Sequence, residues 1–374
     1  MLRALHVANG RLFGGIERML VTLSEPASAG FGLVHEFAIG APGRLVDALR
    51  TSGAAPRLLG DVRLSAPASV WKARMALRET IERTAPDVLI CHAPWSFALF
   101  ASVGRRYQLP VVWWQHDRAT GEPLIERWAR ATPADLVISN SRWTARSAQT
   151  IQPEAPVVVV HCPVTVPAAP SPSERIALRR LLGADGSDVV ILSASRLEAW
   201  KGHLQMLRAL ARLTNGPCWT LWLAGAAQRP HEVAYRTDLE REVVRLGLER
   251  RVQFLGERTD VPALMSAADL FCQANERPEP FGIVFAEALL SGLPVITAAM
   301  GGATEVVDET CAGLYDPMDT DGLTTTLRRL LADAHLRARL GGAGPAHARA
   351  QCAPGMVLPI LEQVLSECRS RAAA

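Results

Sequence analysis

The sequence predicts an α/β protein made of two doubly wound domains in tandem. Three observations predict it. Strand-length runs of Val, Ile and Leu alternate with longer helical patterns along the whole chain, the signature of βαβ units and parallel sheets. A proline-rich stretch at residues 161–173 interrupts that alternation once. The length, 374 residues, exceeds one ordinary domain and suits two, each able to bury its own core.

In the first half, strands are expected near Ala4–Ala8, Val34–Ile39, Arg57–Leu59, Val88–Cys91, Val111–Gln115, Leu136–Ser139 and Val157–Val160, with Val70–Arg83 the longest helical pattern between them. The segment HCPVTVPAAPSPS then carries four prolines and no helical period. Proline fixes φ and removes a backbone donor, so this segment reads as a linker. Strands resume near Val189–Ser195, Trp219–Ala224, Val252–Leu255, Leu270–Gln273, Val295–Thr297 and Gly313–Tyr315, and Met356–Arg371 reads as an amphipathic helix. The expected boundaries are 1–168, 169–352 and a terminal helical segment, 353–374.

Composition excludes several classes. Hydrophobic residues make up 49% of the chain, which suits a packed core rather than disorder. No apolar run approaches the roughly 18 residues of a spanning helix. The N-terminal MLRALHVANG runs straight into a strand and lacks a signal-peptide pattern, so a cytoplasmic protein is expected. Residues 1–170 hold 18 Lys and Arg against 13 Asp and Glu, and the remainder holds 22 against 24. The basic first half would suit peripheral contact with an anionic inner-membrane surface or an acidic acceptor; the plainer reading is solvated arginine. Nothing suggests nucleic acid. Seven scattered cysteines without a C-x-x-C read as reduced core thiols, not a disulfide frame or zinc site. Only two of the 40 basic residues are lysines, Lys72 and Lys201.

In doubly wound sheets, ligands bind beyond the carboxyl ends of the strands. Gly14, Gly15, His92, His116 and Asn140 occupy such places in the first domain. Arg196, Gly225, Gly256, Gly301 and Gly302 do so in the second. Two such crevices facing each other would form one cleft.

The segment Glu279-Pro-Phe-Gly-Ile-Val-Phe-Ala-Glu287 offers a loop carboxylate, a helix start and a helical carboxylate. Amides near Phe281, Gly282, Ile283 and Val284 would be open to an anion. Arg196-Leu-x-x-x-Lys201-Gly202 follows the first strand of the second domain and sets two cations of different geometry at a strand–helix junction, suited to a diphosphate leaving group or, by itself, equally to solvated surface. Gly14-Gly15-Ile-Glu17 permits close approach of backbone to ligand, without the G-x-G-x-x-G of a dinucleotide fingerprint. His116, in Trp113-Trp-Gln-His-Asp117, by itself reads as a satisfied core histidine. Asp117 is the nearest candidate base or hydrogen-bond partner. Asn140 reads as a helix cap, and so does the Asp319-Thr-Asp321 sequence, which discounts a metal role for it. Trp95, Trp113, Trp114 and Trp200 default to packing.

Together these motifs resemble the family 4 retaining glycosyltransferases of GT-B fold. The Glu-x7-Glu and R-L-x3-K-G elements carry the resemblance most specifically. It implies that Glu279 contacts the transferred sugar, Glu287 binds the ribose hydroxyls, and Arg196 and Lys201 grip the donor pyrophosphate. It also implies that the first domain takes the acceptor and the second the donor, and that the terminal segment 353–374 would cross back to the first domain. It implies further that the Gly14–Gly15 loop lies across a cleft from the donor phosphates, that His116 reaches the donor sugar, and that residues near Gly256 border the base. The Gly301-Gly302-Ala-Thr-Glu305 loop departs from the family pattern, with Ala303-Thr304 where a proline is common. The implied activity is metal-independent transfer of a hexose-type sugar from an NDP-sugar, UDP before GDP, to a hydroxyl acceptor of cell-surface glycan, glycolipid or secondary-metabolite type. Catalysis is expected from Glu279, His116, Arg196 and Lys201. A sugar-nucleotide 2-epimerase and a non-catalytic sugar-nucleotide binding protein are the alternatives.

Overall fold

The computed structural model describes residues 1–184, 186–213 and 216–373. Residue 374, the last of the expected terminal segment, lies outside the described residues. The chain divides into two compact units, residues 1–164 with 352–374, and residues 165–351.

In the first unit the strands are β1 (Leu2–Ala8), β2 (Leu33–Ile39), β3 (Arg57–Leu58), β4 (Val88–His92), β5 (Val111–Gln115), β6 (Leu136–Ser139) and β7 (Val157–Val159). They form one sheet in the order β3-β2-β1-β4-β5-β6-β7, and each neighbouring pair runs parallel. The order reverses between β1 and β4, the place where doubly wound sheets bind ligands. Leu5, Val7, Leu89, Cys91, Val111, Trp113 and Val137 pack on one face with Leu77, Phe97 and Phe100. The near-continuous Val-Ile-Leu runs arise because helices cover a parallel sheet on both faces. The terminal helix Pro354–Ala373 belongs to this unit. Its Val357, Leu358, Leu361, Leu365 and Cys368 are buried at helical spacing. Arg369 pairs with Asp87 at 3.2 Å. Where the chain leaves and re-enters the unit, Val164 N donates to the Cys352 carbonyl at 2.8 Å.

The second unit holds β8 (Val189–Ala194), β9 (Trp219–Ala224), β10 (Val252–Gly256), β11 (Leu270–Gln273), β12 (Val295–Ala298) and β13 (Ala312–Tyr315). Their order is β10-β9-β8-β11-β12-β13, again all parallel. The reversal falls between β8 and β11. Ile191, Leu207, Leu210, Leu221, Leu239, Leu270, Ile296 and Leu327 are fully buried in its core.

Each strand expected from the sequence is present, with ends shifted by no more than two residues. The seven cysteines are free thiols, and all but Cys218 are buried. Among the described residues, no helix is long and apolar enough to cross a membrane.

Two glycines allow backbone to touch backbone at the carboxyl edge of the second sheet. A Cβ on Gly225 would stand 1.8 Å from the Ser195 carbonyl oxygen. A Cβ on Gly202, whose φ is +73°, would stand 1.6 Å from the Ala274 carbonyl oxygen. Gly202→Ala therefore combines left-handed strain with a clash that only backbone movement relieves. The expected loss is about 3 kcal/mol or more. Urea unfolding of wild type and variant measures it, and a loss below about 1 kcal/mol would mean that the 202–274 contact yields easily.

Candidate functional site

In the second unit, two chain segments meet beyond the switch point. One follows β8 and ends in a short 3-10 turn, Ala199–Lys201, closed by Gly202. The other follows β11 and runs from Ala274 to Glu279. Glu276 N donates to the Trp200 carbonyl at 2.8 Å and ties the two together. Lys201 Nζ then lies 2.7 Å from Glu279 Oε2, with each side chain 12% exposed. The same carboxylate oxygen accepts from Asn275 Nδ2 at 2.8 Å and Gln273 Nε2 at 3.2 Å. The Lys201 ammonium also sits 3.8 Å from the centroid of the Trp200 ring, a cation–π contact.

A third segment fixes Glu279 from behind. Gly302 N donates to the Glu279 carbonyl at 2.7 Å, and Gly301 forms an isolated parallel bridge with Glu279. Gly301 has φ +69°, and a Cβ there would lie 2.5 Å from the Glu279 carbonyl oxygen. The Gly-Gly loop is thus a backbone clamp on the candidate sugar-binding residue, and Ala303 and Thr304 do not prevent it from forming.

Gly282, at φ +98°, starts the helix Ile283–Leu290. A Cβ on it would strike the Phe285 ring at 2.4 Å. Phe281 and Phe285 are buried beside it. The first N–H groups of that helix lack carbonyls one turn back. Glu287 lies on the helix and is 8% exposed. Gly256 closes β10 in a left-handed conformation and accepts from Gly225 N at 2.8 Å.

Arg196, the cation that the sequence sets beside Lys201, lies between two carboxylates. Its Nη2 lies 2.9 Å from Glu198 Oε1 and its Nη1 3.1 Å from Glu232 Oε1. Glu232 is fully buried and also accepts from the backbone of Gln228 and Arg229 at 2.5 and 3.2 Å. Two carboxylates hold the guanidinium. The sequence reading missed Glu232, since it lies in an unremarkable helix, Pro230–Arg245. It also missed His203, which is buried with Nε2 3.1 Å from Ser195 Oγ. Burial, with the Lys201 charge second, pushes the His203 imidazole down to about 4.

In the first unit, Gly14 precedes the helix Gly15–Ser24, and its N–H donates to Glu17 Oε2 at 2.9 Å. His116 follows β5 and belongs to a row of four histidines. His35 Nδ1 meets His6 Nε2, His6 Nδ1 meets His92 Nε2, and His92 Nδ1 meets His116 Nε2, each at 2.9 Å. Register explains the row. His35 pairs with Ala4 and His6 with Phe37; His6 pairs with Ile90, and His92 with Trp114. Each step across the sheet advances two residues toward the carboxyl edge, so all four rings share one face. That face lies opposite Leu5, Val7, Leu89 and Cys91. Trp114 stacks on His92 and His116 at 5.4 and 5.8 Å between ring centroids. Of this row, the sequence reading singled out only His92 and His116. His6 and His35 become legible only once β1, β2, β4 and β5 are known to be neighbours.

Burial lowers all four imidazoles, to about 4 for His35 and about 3 for His116. His6 and His92 fall well below the ordinary value, with neighbouring histidines adding to desolvation. Asp117 is exposed and accepts from Arg118 N at 2.7 Å. Asn140 is not the helix cap expected: Ser141 caps Arg142–Ala145. Asn140 instead donates to the His116 carbonyl at 3.2 Å and accepts from Thr144 Oγ1 at 2.9 Å. Asp321 does occupy the cap position of Gly322–Ala332, but its side chain makes no cap bond. It pairs with Arg212 at 2.6 Å instead. Trp113 and Trp114 are fully buried, as the packing default had it. Among the described residues, Asp308, Cys311 and His347 could together offer three metal-ligand atoms, all within 4.8 Å of one another. Asp308 Oδ1 already accepts from Thr310 N at 2.9 Å.

Two family models match. One described as "Glycosyltransferase Family 4" covers residues 13–166, and one described as "Glycosyl transferases group 1" covers residues 174–347. A GDP-mannose-dependent alpha-(1-6)-phosphatidylinositol monomannoside mannosyltransferase of Mycolicibacterium smegmatis is 33% identical over 225 residues, 56% of each chain. A D-inositol 3-phosphate glycosyltransferase of Salinispora tropica is 34% identical over 188 residues, 47% of this chain and 38% of that one. The matched part thus spans about half the length, or less, of these curated relatives. Among solved structures, Anabaena HepE in complex with UDP and glucose superposes with a TM-score of 0.84 at 26% identity, covering 98% of this chain and 100% of that one.

The buried imidazoles carry a consequence for stability. Above pH 6.5, folded and unfolded chains both hold them neutral, and their contribution is fully present. As pH falls below the unfolded value of about 6.5, the unfolded chain takes up protons that the folded chain refuses. Stability then drops by up to about 1.4 kcal/mol per pH unit for each such histidine. The decline continues until the folded values are reached, about 4 for His35 and about 3 for His116. Urea midpoints at pH 7.5, 6.0 and 5.0 test this; a flat profile between 6.5 and 5 would show that the row charges without unfolding.

Proposed function

The chain belongs to glycosyltransferase family 4 and has the GT-B fold, and from that premise we propose that it transfers a hexose-type sugar from a nucleoside-diphosphate donor to a hydroxyl acceptor with retention of anomeric configuration. The observation that carries this reading is the meeting of Lys201 and Glu279 at the switch point of the second sheet. A fixed cation and a fixed carboxylate, both shielded from water, suit a donor whose two ends differ in charge. The ammonium faces the diphosphate. The carboxylate faces hydroxyls of the transferred sugar.

Glu287 takes the ribose hydroxyls, and the N–H groups at Gly282, Ile283 and Val284 add donors for diphosphate oxygens. The bond between the anomeric carbon and the diphosphate oxygen breaks, and its electron pair leaves with the diphosphate. The acceptor oxygen bonds to that carbon from the same face, and its proton passes to a departing phosphate oxygen. Negative charge develops on the diphosphate, where preorganised cations lower the barrier. In this reading Lys201 supplies that charge in place of a metal ion. Arg196 joins it only by releasing Glu198 or Glu232.

UDP is the proposed nucleotide, supported by the likeness to HepE across nearly the whole chain. GDP-mannose is the second reading, supported by the mannosyltransferase relative. Thermal unfolding with UDP, GDP, ADP and TDP separates them. A nucleotide at 100 times its dissociation constant adds about 2.7 kcal/mol of stability. The shift is expected with one nucleotide and is expected to vanish in Lys201→Ala and in Glu287→Ala. Transfer by Lys201→Ala should fall on the order of 100-fold or more. Full transfer by either variant would remove that residue from the site. The anomeric proton coupling of the product, read by NMR, tests retention directly.

A further inference from the structure

The four histidines of the first sheet are linked by three N···N contacts of 2.9 Å. Consecutive ring centroids are 5.1, 5.2 and 5.1 Å apart. A neutral imidazole carries one proton on its two ring nitrogens. Each contact needs one N–H and one lone pair. If His35 donates through Nδ1, then His6 accepts at Nε2 and must carry its own proton on Nδ1. The same requirement passes to His92 and then to His116. Only two fully bonded arrangements exist: every ring protonated on Nδ1, or every ring protonated on Nε2.

The two arrangements differ only at their ends. His35 Nε2 is buried and has no hydrogen-bond partner among the described residues. At the other end, His116 Nδ1 makes no hydrogen bond among them, and His116 stands at the carboxyl edge of β5, 8% exposed. With every ring protonated on Nε2, an unpaired N–H is sealed inside at His35. With every ring protonated on Nδ1, the sealed atom is a bare nitrogen and the N–H emerges at His116. Orphaned buried N–H groups are rarer in folded proteins than under-satisfied acceptors. The arrangement with every ring protonated on Nε2 is therefore the costlier one.

We propose that the row is a single tautomeric unit in which His35, His6 and His92 are positioning residues that hold the proton of His116 on Nδ1. His116 then presents a hydrogen-bond donor, suited to a sugar hydroxyl oxygen, and cannot accept a proton at that nitrogen. This excludes His116 as the base that deprotonates the acceptor. Its place against the sugar rests on the glycosyltransferase reading; the tautomer of the row does not. His35 acts here through three hydrogen bonds, without touching substrate.

The test is nitrogen-15 NMR of histidine-labelled full-length protein at pH 7.5, without any donor present. All four rings are expected as Nδ1–H, with couplings across the three N–H···N bonds. Any ring of the row found as Nε2–H overturns the assignment. The second measurement uses His35→Met, in which position 35 offers only a sulfur acceptor. That change should draw a proton to His6 Nε2 and turn His92 and His116 to Nε2–H. His116 remaining Nδ1–H in the folded variant shows that nothing is transmitted. With donor and acceptor supplied, the flipped variant should lose about 10-fold or more in kcat, since His116 then offers a lone pair to a group it had donated to. A wild type that transfers no sugar yet shows the four Nδ1–H rings refutes the enzyme reading and leaves the row intact. Transfer by the wild type with mixed tautomers does the reverse.

Discussion

The carbonyl oxygen of Ala274 stands where a side chain on residue 202 would have to begin. The second unit's site depends on that approach. It brings the segment after β8 against the segment after β11 at backbone distance, and the bond from Glu276 N to the Trp200 carbonyl fastens them. Lys201 and Glu279 then meet because their main chains are fixed. A lysine has a long, flexible stem and loses entropy when held. Here the Trp200 ring and the Glu279 carboxylate confine its ammonium from two directions. Gly301 and Gly302 do the same for Glu279 by gripping its backbone. The result is a charged pair whose position is set by glycines, the residues least visible as chemistry.

Much of this could be read from the residues alone. Strand-length apolar runs in a parallel sheet are hard to mistake, because both faces are covered and the runs stay apolar. Glu279, Glu287, Lys201 and the glycines beside them were legible because chemistry and turn geometry coincide in short segments. Two things were not legible. The partner of Arg196 depends on Glu232, 36 residues away in a helix whose pattern is ordinary. The histidine row depends on strand order: His35 and His92 become near neighbours of His6 only when β1 lies between β2 and β4. Local reading finds motifs that lie along the chain and misses those that lie across a sheet. Asn140 shows the smaller version of the same limit, since the cap falls one residue later and frees Asn140 to hold the His116 carbonyl.

The two units bury ionisable groups by opposite means. In the second, charge meets charge: Lys201 with Glu279, and Arg196 with Glu198 and Glu232. Each such pair tolerates burial because its partner is close and further donors satisfy the carboxylate. In the first, the imidazoles give up their charge and satisfy one another as neutral donors and acceptors. A neutral row avoids the desolvation penalty of an ion, but its hydrogen bonds are interdependent. One site is organised by electrostatic attraction and the other by proton bookkeeping.

The first unit is completed by residues 352–374, and the bond between Val164 N and the Cys352 carbonyl marks where the second unit begins and ends. The second unit is therefore an insertion within the first. A chain emerging from the ribosome is ordinarily able to fold its domains in the order they are made. This one cannot. The second unit has all its residues while the first still lacks Leu358, Leu361 and Leu365, which are buried within it. The domain started first is finished last, and until then its apolar surface needs protection that the nascent chain itself does not yet contain.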